Sequence, residues 1–243
     1  MNIPDSHLAQ LPLFPLQSVL FPGGLLPLQI FEVRYLDMIG KCHKAGTPFG
    51  VVCLTQGREV RQREVRHREV RPPDRQQRGA AASPAGRPSG EGFAEEAFHP
   101  IGTLAAITRL ERPQPGLMMV RCTATQRFQV RSSQQLPHGL WMADVTLLPA
   151  DPEVPVPEDL AHTRTALQQL LLAIERQLEG ADMPLQGPHR WDDCGWLANR
   201  WCELLPLGPE VKQRFMSLDS PLLRLELVAD ALDQMGFKLP PEN

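Results

Sequence analysis

The residues best equipped for chemistry near the C-terminal side of the chain are His189, Cys194 and Cys202, close enough in sequence to imagine part of a zinc ligand set. Zinc needs a fourth ligand and a loop that holds the geometry, and no Cys-x-x-Cys pair supplies them. The five cysteines are widely spaced and odd in number, so they read as reduced thiols, not as a disulfide framework. Cys42, Cys53 and Cys122 sit at periodic positions that a small buried hydrophobe fills well. No metal or cofactor is expected. Glu32, Asp37 and His43 could serve a small-molecule pocket, but nothing in their spacing fixes a reaction. The only Gly-Lys pair, Gly40-Lys41, is followed by Cys42 and lacks the glycines of a phosphate-cradling loop. No nucleophile elbow and no Ser-Lys pair occurs among the four lysines, Lys41, Lys44, Lys212 and Lys238. The reading is of a binding protein without catalytic machinery.

Binding chemistry is better represented. Trp191, Trp196 and Trp201 recur every five residues and could present rings to a peptide or a base, or pack between elements. Trp191 precedes the helical pattern and is the one expected at the surface. Phe31, Glu32, Arg34 and Tyr35 cluster at the start of a helix; they form a recognition corner or a local ion pair with core anchoring.

These groups must be carried by two kinds of structure. From Leu11 to Ile30 twenty residues carry no charge, long enough to span a bilayer, but Pro12, Pro15, Pro22, Pro27 and Gly23-Gly24 deny it a continuous helix. Without a basic start it is no secretory signal either, and the chain is expected to be soluble and cytoplasmic. Leu11–Phe14, Leu25–Ile30, Phe49–Thr55, 101–111, 117–124, Arg127–Arg131 and Trp141–Leu147 read as about seven short strands. Met118, Val120 and Cys122 face one way, Met119, Arg121 and Thr123 the other. One helix interrupts the strands, with Phe31, Tyr35, Met38, Ile39 and Cys42 on one face and Gly46 as its stop. Strands at this density predict a closed or nearly closed β-barrel.

After Pro149 the period becomes helical. A proline-stiffened linker precedes a helix over Leu160–Leu178 that Gly180 ends; Asp192 or Asp193 caps a second carrying Trp196, Leu197, Arg200, Trp201 and Leu204. Pro209 opens a third, and Ser220-Pro221 a fourth with Leu225, Val228, Leu232 and Met235 inward. The expected division is a barrel domain over 1–150 and a helical bundle over 151–243.

Residues 57–92 stand apart. They hold a five-residue near-repeat, Arg58-Glu59-Val60-Arg61-Gln62 onward, then a Pro/Gly/Ala/Ser/Gln-rich run, and are expected to form a disordered insertion between two strands. Nine arginines and five acids give this stretch +4, so the rest of the chain carries −7 against an overall −3. An acidic body with no basic stripe argues against nucleic acid as a partner, although the arginines keep an RNA-binding alternative open.

The opening run Leu11-Pro-Leu-Phe-Pro-Leu-Gln-Ser-Val-Leu-Phe-Pro-Gly-Gly-Leu-Leu-Pro-Leu-Gln-Ile-Phe-Glu-Val-Arg-Tyr35 closely resembles the start of the Lon protease N-terminal domain. Phe49-Gly-Val-Val52, Ile101-Gly-Thr-Leu-Ala105, Arg127-Phe-Gln-Val130, Trp141-Met-Ala-Asp-Val145, Leu204-Leu-Pro206 and Leu222-Leu-Arg-Leu225 follow in the family's order. The family commonly has Pro at the place of Val33 and Gly at that of Ala124, changes of backbone shape more than chemistry. The resemblance implies an α+β fold, a PUA-like β pseudo-barrel followed by a small α-helical bundle. It also implies a stand-alone, non-catalytic module whose partners are unfolded or degron-bearing polypeptides and an ATP-dependent protease. Phe31, Arg34, Tyr35, Trp191 and Trp196 are the residues expected to line an apolar groove between barrel and helices or to flank an exposed strand edge. In this expectation Arg34 holds a backbone carbonyl or an acidic side chain of the bound chain.

Overall fold

The computed structural model describes residues 6–57, 96–178, 185 and 188–236. The uncharged N-terminal run folds as two strands, β1 (His7–Leu16) and β2 (Leu25–Ile30), joined by a turn at Phe21–Gly24. Helix α1 (Val33–Ala45) follows, then β3 (Phe49–Gln56), β4 (Ala97–Gln114), β5 (Leu117–Gln135) and β6 (Trp141–Leu147). β1 runs parallel to β3; every other pairing is antiparallel. β5 pairs with β4 on one side; on the other it pairs first with β2 and then, from Phe128, with β6. The ring β5–β4–β3–β1–β6 thereby closes on itself, as the density of strands predicts, and β2 extends one wall.

Both faces of the central strands are covered, which accounts for their unbroken apolar runs. Phe49–Leu54 is buried throughout. Its residues alternate between two cores: Phe49 and Val51 join Phe14, Tyr35, Ile39 and Cys122 beneath α1, while Val52 joins Leu13, Leu104, Phe128 and Val145. Only a residue apolar at every position survives such two-sided packing.

Among the described residues the seven expected runs make six strands. Runs 117–124 and 127–131 are one strand of 19 residues, and run 101–111 lies within one of 18. Register shifts in the β4–β5 hairpin, between Thr103 and Ala105 and again between Ile107 and Arg109, bend the pair without ending it. Single-sequence alternation breaks at such shifts, so one bent strand reads as two. Phe31 also differs from expectation: α1 starts after Glu32, leaving Phe31 outside it and 53% exposed. Gly46 takes the left-handed conformation that stops α1. The segment preceding β4, which holds the expected insertion from residue 58 onward, lies outside the described residues, as does Gly180.

After β6 the chain crosses through Pro149–Pro157 to a 3-10 turn (Glu158–Leu160), then α2 (Ala161–Leu178), α3 (Cys194–Leu204), α4 (Pro209–Met216) and α5 (Pro221–Gln234). Asp193 caps α3 by accepting from the Trp196 backbone N–H at 2.8 Å, and Ser220 caps α5 from Leu223. Pro209 and Pro221 occupy first-turn positions, where a missing N–H costs nothing. Trp201, Leu197, Leu167, Leu225 and Val228 form the helical core, and Phe21 from the barrel turn enters it. Met235, expected inward, falls beyond the last turn of α5 and is 42% exposed.

Candidate functional site

A cleft of about 580 Å³ opens between barrel and helices. Its position follows from the topology. At Thr125 and Gln126 the strand β5 has left β2 and not yet reached β6, so the sheet has no neighbour there to cover it. The turn Pro22-Gly23 and Leu25 form one wall, Pro149–Asp151 the floor, and Pro188, Arg190, Trp196 and Asn199 the helical wall. The volume lies within the ~300–1,000 Å³ range of ordinary ligand sites.

The floor rests on an ion network. The Asp151 carboxylate accepts from Arg224 Nη1 at 2.6 Å and from Arg127 Nη2 at 3.2 Å. Arg224 also donates to the Phe215 and Leu218 carbonyls and to Asn199 Oδ1. Arg127 donates to the carbonyls of Met216 and Leu218. Both guanidiniums are buried, at 1% and 4% exposure. Burial pulls the Arg127 guanidinium below its ordinary range, with Asp151 pulling it back. One carboxylate thus fastens β5, the linker and the helices together.

The alternation Arg127-Phe128-Gln129 reads Arg127 as a solvent-side position; instead the helices cover that face. Sequence reasoning passed over Arg127, Asp151 and Arg224 as chemistry. The signal available was a charge on an inward stripe, since Arg224 adjoins Leu225 and precedes Val228 by one helical turn. Arg200, on the stripe with Trp196, Leu197 and Trp201, carried the same signal.

Charge in the upper cleft is also paired. Arg190 Nη2 lies 2.6 Å from both Asp193 and Glu153. Balanced charges beside Leu25, Trp196 and three prolines suit a neutral polypeptide better than a phosphate backbone. At the rim Trp191 and Trp196 meet edge to face with centroids 5.1 Å apart, and His189 lies against both at 4.9 and 5.6 Å.

The structure therefore brings Trp191 and Trp196 together but separates them from the other three expected residues. Phe31 lies six residues beyond Leu25 along an extended strand, about 20 Å from the cleft. Arg34 is 8% exposed and donates to the Gly139 carbonyl at 2.7 Å and to Glu32 at 2.9 Å. Its guanidinium covers the ring of Tyr35, which is 4% exposed and packs on Phe14 at 4.2 Å. Arg34 and Tyr35 close the end of the barrel under α1. Phe31 and Val33, at 53% and 81% exposure, project from that corner.

The sulfur chemistry is muted. All five thiols are free and buried. Burial pushes Cys122 and Cys202 up to about 12 and Cys194 up to about 11, so each stays protonated. Cys194 spends its proton on the Pro155 carbonyl at 3.4 Å. Among the described residues no group of three or more His, Cys, Asp or Glu is placed to hold a metal ion, and no helix is long and apolar enough to cross a membrane.

The described residues thus define an α+β domain, a pseudo-barrel with a parallel β1–β3 pair followed by four helices. The model of the ATP-dependent protease La (LON) substrate-binding domain matches residues 10–234, and the chain belongs to that family. The family is one of binding domains, not catalytic ones. A Lon N-terminal domain protein from Xanthomonas campestris superposes with a TM-score of 0.64 at 25% identity, over 92% of this chain and 98% of that one. The N-terminal domain of a Lon protease from the Mycobacterium avium complex superposes at 0.52 and 16% identity, over 95% and 100%, a likeness of fold. No curated protein matches the chain in sequence.

Proposed function

We propose that this chain is a non-catalytic module that takes unfolded or degron-bearing polypeptide into the cleft between barrel and helices. The observation that carries the reading is the cleft at the break in β5's pairing, where uncovered strand faces the Trp196 ring. An extended segment laid there buries a side chain against Trp196 and Leu25, while Thr123, Thr125, Gln126 and Asn199 offer polar groups to its peptide units. In this reading residues 1–150 and 151–243 are the two jaws, and the Asp151 network is their hinge pin. In this reading hydrolysis of the bound chain falls to a separate ATP-dependent protease.

The test is fluorescence anisotropy with a labelled, reduced and alkylated polypeptide. Trp196→Ala and Thr125→Arg are expected to weaken capture about tenfold or more, the first by removing a stacking face, the second by blocking the groove. Phe31→Ala, some 20 Å away, leaves it unchanged. Undiminished affinity in both cleft variants, or a loss confined to Phe31→Ala, refutes the assignment.

A further inference from the structure

We propose that Arg200, with Glu203, pins the mouth of the cleft, holding the Pro22–Gly24 wall against Trp196, and that the cleft's grip follows the protonation of Glu203. The grip rests on the polypeptide reading above; the pin does not.

The geometry begins at the turn. Gly23 has φ +78°, and a Cβ there would press on the Arg200 guanidinium at 3.3 Å. A Cβ on Gly24 would overlap Glu203 Oε1. The two glycines are therefore what lets an ion pair from α3 lie directly against the barrel backbone. Arg200 Nη2 donates both to the Pro22 carbonyl at 2.8 Å and to Glu203 Oε1 at 2.7 Å. The same guanidinium stands 6.0 Å from the Trp196 ring centroid. One buried cation, 3% exposed, thus touches both walls of the cleft. Its Nε is buried with no hydrogen-bond partner among the described residues, so the Glu203 carboxylate carries most of its compensation.

Glu203 is a poised partner. Burial pushes its carboxyl up to about 7, against the opposing pull of Arg200 and Lys212. The groups facing it are Arg200 and Cys202 on α3 and Lys212 on α4; Lys212 Nζ donates to the Glu203 backbone carbonyl at 3.3 Å. The barrel turn presents a carbonyl and two glycines but no ionisable group. With Glu203 ionised, Arg200 is held in a charge-assisted bond. With Glu203 protonated, that bond loses its charge, and the buried guanidinium loses the partner that fixes its orientation toward Pro22. The wall at Pro22 and the ring of Trp196 then lose their common fixed point.

Two measurements on the full chain test this separately. Tryptophan emission of ligand-free protein is titrated from pH 5.5 to 8.5 in a His189→Gln background, because His189 abuts both rim tryptophans. A transition with its midpoint near 7 is expected, absent in Glu203→Gln and absent in Trp196→Phe. Anisotropy with the labelled unfolded polypeptide should show affinity about tenfold weaker at pH 6 than at pH 8, and no such change in Glu203→Gln. Arg200→Lys, which keeps the charge but not the two-way bond, lowers affinity at pH 8 and flattens the dependence. Emission that titrates equally in Glu203→Gln, or not at all in the parent, overturns the pin. Emission that titrates as expected while no polypeptide binds at any pH supports the pin and refutes the function it was to serve.

Discussion

Removing the Asp151 carboxylate probes the joint between barrel and helices most directly. Asp151→Ala leaves Arg127 and Arg224 buried, with Arg224 retaining neutral partners only and Arg127 retaining Asp219 at 3.5 Å, a side chain 90% exposed. Stripping one partner from a buried pair costs about 3–5 kcal/mol, because a desolvated charge remains. Here one carboxylate serves two cations, which places the loss toward the upper figure. For a chain of this size each kcal/mol lowers Tm by about 2–4 °C, so the variant should melt roughly 6–20 °C lower. Urea denaturation followed by tryptophan fluorescence gives the free energy, and calorimetry gives Tm. Asp151→Asn, which keeps an acceptor but not the charge, should fall between. Because both guanidiniums are buried, raising salt from 0.1 to 1 M should change the Asp151→Ala penalty little. A loss below about 1 kcal/mol, typical of an exposed ion pair, would refute the argument that this network joins the two parts.

Two further outcomes follow from burial. Glu203, raised to about 7 when folded from an ordinary 4.5, binds a proton in the folded protein that the unfolded chain has already released. Stability from this group is therefore complete below about 4.5 and lost as pH rises through 7; urea curves at pH 5 and 8 should show wild type losing about 2–3 kcal/mol more than Glu203→Gln. Tyr35→Ala, in the core beneath α1, should cost about 3–5 kcal/mol by denaturation, whereas Phe31→Ala should change stability by less than about 0.5 kcal/mol. Equal effects would mean that the corner is packed as one unit.

Much of this architecture was legible because apolar periodicity encodes burial. The caps at Asp193 and Ser220, the stop at Gly46 and the prolines opening α4 and α5 are local devices, and local devices show in one sequence. The closed ring of strands was foreseeable from strand density, but its pairing was not: β1 beside β3 and β6 is a fact of distant residues. The candidate cleft was legible only in part. Trp191 and Trp196 could be picked out by residue type; Arg34 and Tyr35 were picked out on the same grounds, yet they are sealed into the barrel end. A cluster of aromatic and charged side chains looks the same in sequence whether it binds a partner or its own backbone. Arg200, Glu203 and Asp151 went unmarked because their meaning depends on Gly24 and Arg127 arriving from the other part of the fold.

The parallel β1–β3 pair and the β1–β6 seam govern how this protein must be made. His7 pairs with Thr146, so the first strand waits for almost the whole barrel to be synthesised before its last neighbour exists. At about 5–20 residues per second on a ribosome, the greasy stretch from Leu11 to Ile30 stays without its full complement of neighbours for on the order of ten seconds. On the function proposed above, the domain is thus, during its own birth, the kind of exposed chain that it would capture.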